Sequence, residues 1–275
     1  MNSKRKILVL IDLKADSSKI LKFAVEFAEI IDADLNLLHL KRPGEVIIAE
    51  NQLSAFRTFS DEHKKIKAKA KTFINKVPNN ENKKIEFKFA IGHPKEVIKN
   101  YLDKNKVDVL VIGKKKSKRV EFIGDGFTDV VLRNFNGPLL IVNPINDYPL
   151  LTELDLGILN NYNLLSNFKY AKNLLNCTKQ PIKAFNFVLD SKKTNPKQEF
   201  KEEVVEYFFE NKNDDIAINL SNYLSKSKVN LLYIDREINV QSSNNYKTFD
   251  IKAIIANTNV SLLLSEQNTH ILSKK

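Results

Sequence analysis

Short apolar runs and segments of helical periodicity alternate along the first half of the chain. Five runs are predicted to be β-strands, at residues 7–13, 34–40, 84–91, 107–112 and 139–142. Between them, helical spacing predicts a helix that Ser17 and Ser18 can cap, and further helices within residues 51–77, 94–102 and 125–134. Strands that alternate with helices indicate a doubly wound parallel α/β sheet with right-handed crossovers.

The same alternation restarts after the turn-forming residues 143–149, in a shortened form. Strands are predicted at residues 154–159, 182–189, 229–234 and 260–264, and helices at 164–176, 216–223 and 249–257. Residues 190–204 leave room only for a loop or a short helix where the first half has its long helix. The pattern of residues 204–209 suits either a third strand or the end of that helix.

Two segments of the chain repeat each other. Residues 100–112 and 222–234 agree at eight of thirteen positions, at a constant offset of 122. Internal similarity of this kind indicates one fold used twice. We therefore expect two tandem five-stranded parallel sheets with flanking helices, in domains at residues 1–145 and 150–268.

The composition is that of a soluble globular protein. The chain is 43% hydrophobic, and its uncharged apolar runs are strand-sized, well below the roughly 20 residues that cross a bilayer. We expect no membrane segment, no secretory signal at the start, and a cytoplasmic location. Cys177 is the only cysteine, which excludes an internal disulfide and a cysteine-based metal cage; we expect it to be a small buried residue.

The net charge of +11 is concentrated in the first half. Residues 1–145 hold 28 Lys and Arg against 18 Asp and Glu, whereas the remainder holds 16 against 15. Five cations lie within residues 114–119, a predicted loop that could meet the phosphates of a nucleotide, a nucleic acid or an anionic surface. Because no aromatic residues are interleaved with them, we expect no specific nucleic-acid binding. The lysines of residues 64–71 alternate with apolar positions and are expected to form a solvated helix face.

Several segments, in this order and spacing, resemble the universal stress protein family. They are Ile7-Leu-Val-Leu-Ile-Asp-Leu13, Phe23-Ala-Val-Glu-Phe-Ala28, Leu35-Asn-Leu-Leu-His-Leu40, Gly92-His-Pro-Lys-Glu-Val-Ile98, Asp108-Val-Leu-Val-Ile-Gly113, Val130-Val-Leu-Arg133 and Pro138-Leu-Leu-Ile-Val142. The resemblance implies a tandem stress-response protein with doubly wound, adenine-nucleotide alpha-hydrolase-like sheets. Binding or signalling is the usual role in this family.

ATP-binding members of that family carry an Asp at the end of the first strand and a Gly-x-x-Gly-x9-Gly-Ser/Thr loop after the fourth. Asp12 and Gly113 fit this pattern, but Lys116 stands at the second glycine and Phe127 follows Gly126. Counting back from residues 131–133 instead aligns Asp125 and Gly126 with the last pair. The resemblance thus implies a site for ATP, ADP or AMP in the first domain only. Its candidate residues are Asp12, Leu13, Leu40, Gly113, Lys114, Lys116, Gly124, Gly126, Phe127 and Thr128.

The altered loop has two opposing physical consequences. Glycines let backbone N–H groups approach phosphate oxygens, and the Lys116 side chain can obstruct that approach. Its charge and those of its neighbours nevertheless attract a triphosphate. Gly113 can alternatively serve only a tight turn, and Asp12 can serve only as a helix or turn cap.

The second copy lacks the candidate phosphate-binding residues of the first. Asn160 or Asn161 replaces Asp12, Asp235 replaces Gly113, and residues 241–245 contain no glycine. A carboxylate at a phosphate turn disfavours an anion. We therefore expect a degenerate second domain that supplies an interface rather than chemistry.

Two functions follow as hypotheses. The first is a nucleotide-binding stress protein. The second is a nucleotide-free interaction protein whose halves pack about a pseudo-twofold axis through residues 139–142 and 260–264. Whether two such chains also form a homodimer is left open by the sequence. The four histidines do not show the spacing of metal ligands, so we expect no metal site. The sequence also lacks Gly-x-Ser-x-Gly and Walker motifs, so we expect no catalytic site and at most a weak ATPase.

Overall fold

The chain divides into two compact units, Met1–Gly137 and Pro138–Lys275. The structure is a computed structural model that describes residues 4–45, 52–78, 83–114, 127–145, 154–159, 165, 168–179, 181–188, 203–210, 216–236 and 250–267. The domain ranges expected from the sequence, 1–145 and 150–268, stay predictions.

The first unit is built on four parallel strands in the order β3-β2-β1-β4. Along the chain its elements are β1 (Arg5–Ile11), α1 (Ser17–Ile31), β2 (Ala33–Lys41), α2 (Gln52–Ile74), β3 (Ile85–Ile91), α3 (Pro94–Lys104), β4 (Val109–Gly113) and α4 (Phe127–Asn134). Helix α1 packs on β1, β2 and β4, and α2 packs on β3. Strands β1 and β4 consist almost entirely of buried apolar residues, as expected for central strands covered on both faces.

The second unit repeats this strand order and adds two strands, β10 and β5. Its elements are β5 (Leu139–Val142), β6 (Leu156–Leu159), α5 (Ala171–Asn176), β7 (Ile182–Val188), β8 (Val204–Glu210), α6 (Ile216–Lys226), β9 (Leu231–Ile234), α7 (Ile251–Asn257) and β10 (Ser261–Leu264). The strands lie in the order β5-β10-β9-β6-β7-β8, and all pairs are parallel except the antiparallel pair β5–β10. The α/β fold with parallel strands and flanking helices is thus confirmed.

Several elements recur at the offset of the sequence repeat. Adding 122 to the bounds of α3, 94–104, gives 216–226, which are the bounds of α6. The same addition turns the bounds of β5, 139–142, into those of β10, 261–264.

Two local predictions change, and one open alternative is resolved. Ser17 and Ser18 do not cap α1: Asp16 holds the N-cap position without a side-chain cap bond, and the Ser17 hydroxyl bonds Asp12 instead. Helix α5 begins at Ala171 rather than near residue 164, because Phe168 and Tyr170 form a turn whose rings pack against each other. The ambiguous segment at residues 204–209 is strand β8.

Among the described residues, no helix combines the length and the apolar character needed to span a bilayer.

Candidate functional site

The carboxyl ends of β1 and β4 form the point in the first unit where the winding of the sheet reverses. Strand β1 pairs with β2 on one side and with β4 on the other. Successive connections therefore leave this pair of strands in opposite directions, which opens a crevice at their carboxyl ends, the usual ligand position in doubly wound sheets. Asp12 and Leu13 follow β1 at this crevice, and Gly113 ends β4 there and is followed by Lys114.

Asp12 is held in place by its own turn. Its Oδ1 accepts hydrogen bonds from the Ser17 hydroxyl at 2.5 Å and from the Lys14 backbone N–H at 3.1 Å. The first bond joins the turn to the start of α1, where Ser17 is buried. The second is the local bond by which an Asp side chain closes a turn on its own backbone. The carboxylate therefore has a fixed orientation in the β1–α1 turn.

Leu13 adopts a backbone conformation that leucine rarely takes. Its φ is 55°, in the left-handed region, and its side chain is buried. A bulky non-glycine residue there costs about 1–3 kcal/mol and persists only where the surroundings enforce it. The bonds of Asp12 on one side and the start of α1 on the other provide that enforcement.

A buried histidine near the end of β2, which was not among the predicted site residues, lies beside the candidate site. The Nδ1 atom of His39 lies 2.8 Å from the carbonyl oxygen of Ile11, so Nδ1 carries the hydrogen. Burial lowers the pKa of His39, which keeps the imidazole neutral at pH 7. The signal that was available is a histidine near the carboxyl end of a mostly buried strand. Leu40, a predicted site residue, is buried next to it in β2.

Gly113 is the last residue of β4 and has strand conformation, so it does not form a turn. A Cβ atom at this position would lie 2.1 Å from the Cδ1 atom of Ile20 on α1. The missing side chain therefore lets α1 pack closely against β4. This is a structural role that neither the phosphate-loop hypothesis nor the tight-turn alternative included.

Lys114 follows Gly113 and is half-buried. Burial lowers the pKa of its ammonium group to about 8. An anion bound beside it would stabilise the charged form and raise that pKa again.

The remaining predicted residues lie at or before the start of α4. Phe127 is the first residue of α4 and is buried, and Thr128 beside it is half-buried. Lys116, Gly124 and Gly126 lie outside the described residues. The structure therefore gathers Asp12, Leu13, Gly113 and Lys114 at neighbouring strand ends.

At the corresponding strand end of the second unit, acidic and basic side chains are buried together. Asp235 and Arg236 stand 122 residues after Gly113 and Lys114, and both are buried. Ser265 accepts a hydrogen bond from the Arg236 backbone N–H at 2.9 Å, and its hydroxyl donates to the Asp235 carboxylate at 3.2 Å. Burial lowers the pKa of Arg236 to about 10. The Asp235 carboxylate thus links the end of β9 to the end of β10. Asn160, Asn161 and residues 241–245 lie outside the described residues.

In the described ranges, no group of histidine, cysteine and carboxylate side chains is arranged to hold a metal ion.

Comparisons with known proteins agree with this fold. Residues 4–143 match the model of the universal stress protein family. A universal stress protein from Archaeoglobus fulgidus DSM 4304 is 13% identical, with a TM-score of 0.65 over 96% of this chain and 98% of that one. A functionally unknown protein from Pseudomonas aeruginosa PAO1 is 11% identical, with a TM-score of 0.57 over 96% and 93%.

A universal stress protein solved in complex with cAMP is 18% identical, covers 52% of this chain and 99% of its own length, and has a TM-score of 0.33. No curated protein matches the chain significantly. The two long alignments show that the fold of the whole chain is one already known from solved structures.

Proposed function

The chain belongs to the universal stress protein family, and we propose that its first unit binds an adenine nucleotide, ATP, ADP or AMP, at the carboxyl ends of β1 and β4. The observation that carries this proposal is the turn after β1. A carboxylate fixed by two hydrogen bonds and a leucine held at a φ of 55° lie together at the switch point of the sheet. Strain of this kind concentrates at ligand sites, where it pre-organises the backbone.

The charges next to this turn suit the phosphate end of such a ligand. Lys114 is half-buried at the end of β4, and four further cations follow it in the sequence within residues 115–119. A phosphate beside Lys114 would gain a charge-assisted hydrogen bond, which contributes about 1.5–3 kcal/mol. We therefore expect ATP to bind more tightly than AMP.

Isothermal titration calorimetry of the full chain with ATP, ADP and AMP tests the proposal. Asp12→Ala removes the anchored carboxylate and is expected to weaken ATP binding at least tenfold. Asp16→Ala is the matched control, because Asp16 lies in the same turn but is exposed and makes no side-chain cap bond. The affinity of the Asp16→Ala variant for ATP should equal that of the unchanged protein.

Two results would reject the nucleotide site. One is the absence of binding heat at millimolar ATP. The other is an equal loss of affinity in the Asp12→Ala and Asp16→Ala variants, because that would show that the anchored carboxylate of Asp12 has no specific part in binding.

A nucleotide-free interaction protein of the same fold is the second candidate. It is favoured by the structural roles of the two residues that fit the family pattern best. Asp12 closes a turn, and Gly113 makes room for Ile20. Under this hypothesis the chain acts through its protein surfaces, and purified protein neither retains nor binds nucleotide.

The cellular role that accompanies both candidates is stress response in the cytoplasm. It is supported by the family membership and by the single cysteine of the chain. Growth of a deletion strain under starvation, heat and oxidants would test it, with the Asp12→Ala gene separating a nucleotide-dependent role from an independent one.

A further inference from the structure

Strand β8 ends the strand order of the second unit. Within the described part of the chain it pairs only with β7. The opposite side of an edge strand presents unpaired N–H and C=O groups, which natural proteins commonly guard with lysine, proline or a covering element. Residues 203–210 contain neither lysine, arginine nor proline.

The corresponding strand of the first unit, β3, shows what covers such an edge. Phe89 of β3 lies opposite His39 of β2, and Phe208 of β8 lies opposite Asn186 of β7 at the same register. The ring of Phe89 is covered by α2, whose His63 ring lies 5.8 Å away. Phe208 is 47% exposed.

Chain length explains part of this difference. Residues 42–84 connect β2 to β3, which is 43 residues and includes the 23 residues of α2. Residues 189–203 connect β7 to β8, which is 15 residues. A connection of that length cannot hold a helix as long as α2, which rises about 35 Å.

The other face of β8 is open as well. The repeat places Tyr223 of α6 where the first unit has Tyr101 of α3, yet Tyr223 is 42% exposed and Tyr101 is 8% exposed. Val205 of β8 is 37% exposed on the same face as Phe209, whose ring lies 4.4 Å from that of Tyr223. An added helix would cover one face only. A strand that continues the sheet beyond β8 would place alternate side chains on both faces.

The charge of the Phe208 face specifies the partner's side chains. Asn186 is 1% exposed; its Nδ2 donates to Glu206 at 3.2 Å, and its Oδ1 accepts no hydrogen bond in the described structure. The opposite orientation of the amide would turn its oxygen towards the carboxylate, which is unfavourable. Among the described side chains of β8, the charged one on this face is Glu206, which shares the face with Phe208 by strand alternation. This face therefore offers hydrogen-bond acceptors and negative charge around an exposed ring, a combination that attracts ammonium or guanidinium groups.

We propose that β8 is a docking edge for an extended segment of another protein in which apolar residues alternate with lysine or arginine. The backbone of that segment pairs with β8. Its basic side chains lie over Glu206 and Phe208 and reach towards Asn186, and its apolar side chains cover Val205 and Tyr223. This is β-strand addition, in which main-chain bonds provide affinity and alternate side chains provide specificity.

Fluorescence anisotropy with labelled seven-residue peptides and the full chain tests this inference. A peptide of alternating valine and lysine should bind saturably below about 1 mM, which corresponds to about −4 kcal/mol. Three matched peptides should bind at least fivefold more weakly: one with glutamate in place of lysine, one with the same residues in blocks instead of alternation, and one with N-methylated backbone amides. Binding of the lysine peptide should weaken as salt rises.

Variants of the protein assign the binding to β8. Glu206→Gln should weaken the lysine peptide about fivefold, and Val205→Lys, which places a cation on the edge, should abolish its binding. Ile218→Ala, at an exposed apolar residue of α6, should leave it unchanged. Circular dichroism must show the same fold in all variants; Phe208→Ser replaces any variant that fails and should also weaken binding.

Three results would overturn the inference. The first is no saturable binding of the alternating lysine peptide. The second is equal binding of the block or N-methylated peptide, which would indicate charge attraction without strand pairing. The third is self-association of the unchanged protein that Val205→Lys abolishes, which would make a second copy of this chain the occupant.

Discussion

The hydrogen bond between Ser17 and Asp12 fixes the turn that follows β1. It joins a buried hydroxyl on the first turn of α1 to a carboxylate five residues earlier, at 2.5 Å. The same carboxylate oxygen accepts the Lys14 N–H, and Leu13 lies between Asp12 and Lys14 with a φ of 55°. The hydroxyl of Ser17 therefore supports both the orientation of Asp12 and the strained leucine.

Replacement of Ser17 by alanine is expected to destabilise the first unit. A hydrogen bond to a charged group contributes about 1.5–3 kcal/mol to the free energy of unfolding, and alanine cannot replace it. Urea unfolding followed by circular dichroism measures the loss. Ser18→Ala is the control, because the Ser18 hydroxyl makes only a solvent-exposed bond to the Ala15 carbonyl in the same turn, and it should change stability by less than about 0.5 kcal/mol. Equal effects of the two variants would contradict this role of Ser17.

His39 should make the stability of the protein depend on pH. Burial lowers its pKa in the folded state below the ordinary value of 6.5. As pH falls, the unfolded chain therefore binds a proton at this histidine before the folded chain does. The stabilising contribution of the neutral imidazole is present above about pH 6.5 and is lost as pH falls below it.

Urea midpoints measured between about pH 7.5 and pH 5 test this expectation. The midpoint of the unchanged protein should fall more steeply with decreasing pH than that of His39→Gln, which cannot titrate there. Parallel curves for the two proteins would show that the imidazole contributes no pH dependence.

At the residue scale, the sequence identified Asp12 and Gly113 through the family pattern and left their physical roles open. The Ser17–Asp12 bond was not predictable, because serine before a helix ordinarily suggests a cap. His39 was missed because its bond to the Ile11 carbonyl depends on the register of β1 against β2. Backbone strain at Leu13 leaves no mark in the pattern of hydrophobic and polar residues.

Helix α1 and strand β4 meet at Gly113. The position tolerates no side chain without movement of Ile20, whose Cδ1 atom fills the space. Since Ile20 lies one turn beyond Ser17, this contact also sets the height of the helix start above the candidate crevice. Close packing of α1 on β4 thus links the core of the first unit to its candidate site.

A double-mutant cycle measures this contact. Gly113→Ala should cost about 1–3 kcal/mol through overpacking, and Ile20→Val, which removes the clashing Cδ1 atom, about 0.5–1.5 kcal/mol. Together they should cost less than the sum by about 1 kcal/mol, because the shorter side chain makes room for the new methyl group. Gly44→Ala is the control, with nothing within 4 Å of the added atom. Additive effects of Gly113→Ala and Ile20→Val would contradict the proposed contact.

At the element scale, hydrophobic periodicity predicted most strands and helices of the first unit within two residues, because long amphipathic patterns are unambiguous there. Shorter elements were less predictable. Helix α5 has only six residues, and two buried aromatic residues before it resemble a helical continuation. Strand β8 was ambiguous because apolar residues lie on both of its faces, which blurs the alternation.

Strands β5 and β10 form the antiparallel pair of the second unit. Leu140 lies opposite Leu263, and Ile141 lies opposite Leu262, with all four side chains buried. Asn143, which follows β5, donates from its backbone N–H to the Ser261 hydroxyl and from its side-chain amide to the Asn259 carbonyl. Strand β5 therefore depends on the end of the chain for this antiparallel pairing.

A fragment of residues 1–145 should associate with itself. It retains the apolar strand β5 but lacks β10, so the backbone groups of β5 that pair with β10 are left without that partner. Size-exclusion chromatography with light scattering should give at least twice the fragment mass, whereas Leu140→Lys in the fragment should shift it towards the monomer. A monodisperse monomeric fragment would contradict this dependence.

At the scale of the whole molecule, the repeat at offset 122 could be recognised from the sequence, because eight of thirteen residues are identical over one helix end and the strand that follows it. The pairing of β5 with β10 was expected only from the family resemblance, because local patterns do not reveal strand order and direction, which depend on long-range pairing. The comparison of the two units also suggests a division of labour. The first retains Gly113 at its crevice, and the second buries Asp235 there.

Native mass spectrometry of the full chain with saturating ATP tests this division most directly. We expect one ATP per chain for the unchanged protein and, at an ATP concentration that only just saturates it, mostly unoccupied Asp12→Ala chains, because the proposed phosphate crevice lies in the first unit only. Two bound nucleotides, or none at concentrations that saturate a millimolar site, would contradict it.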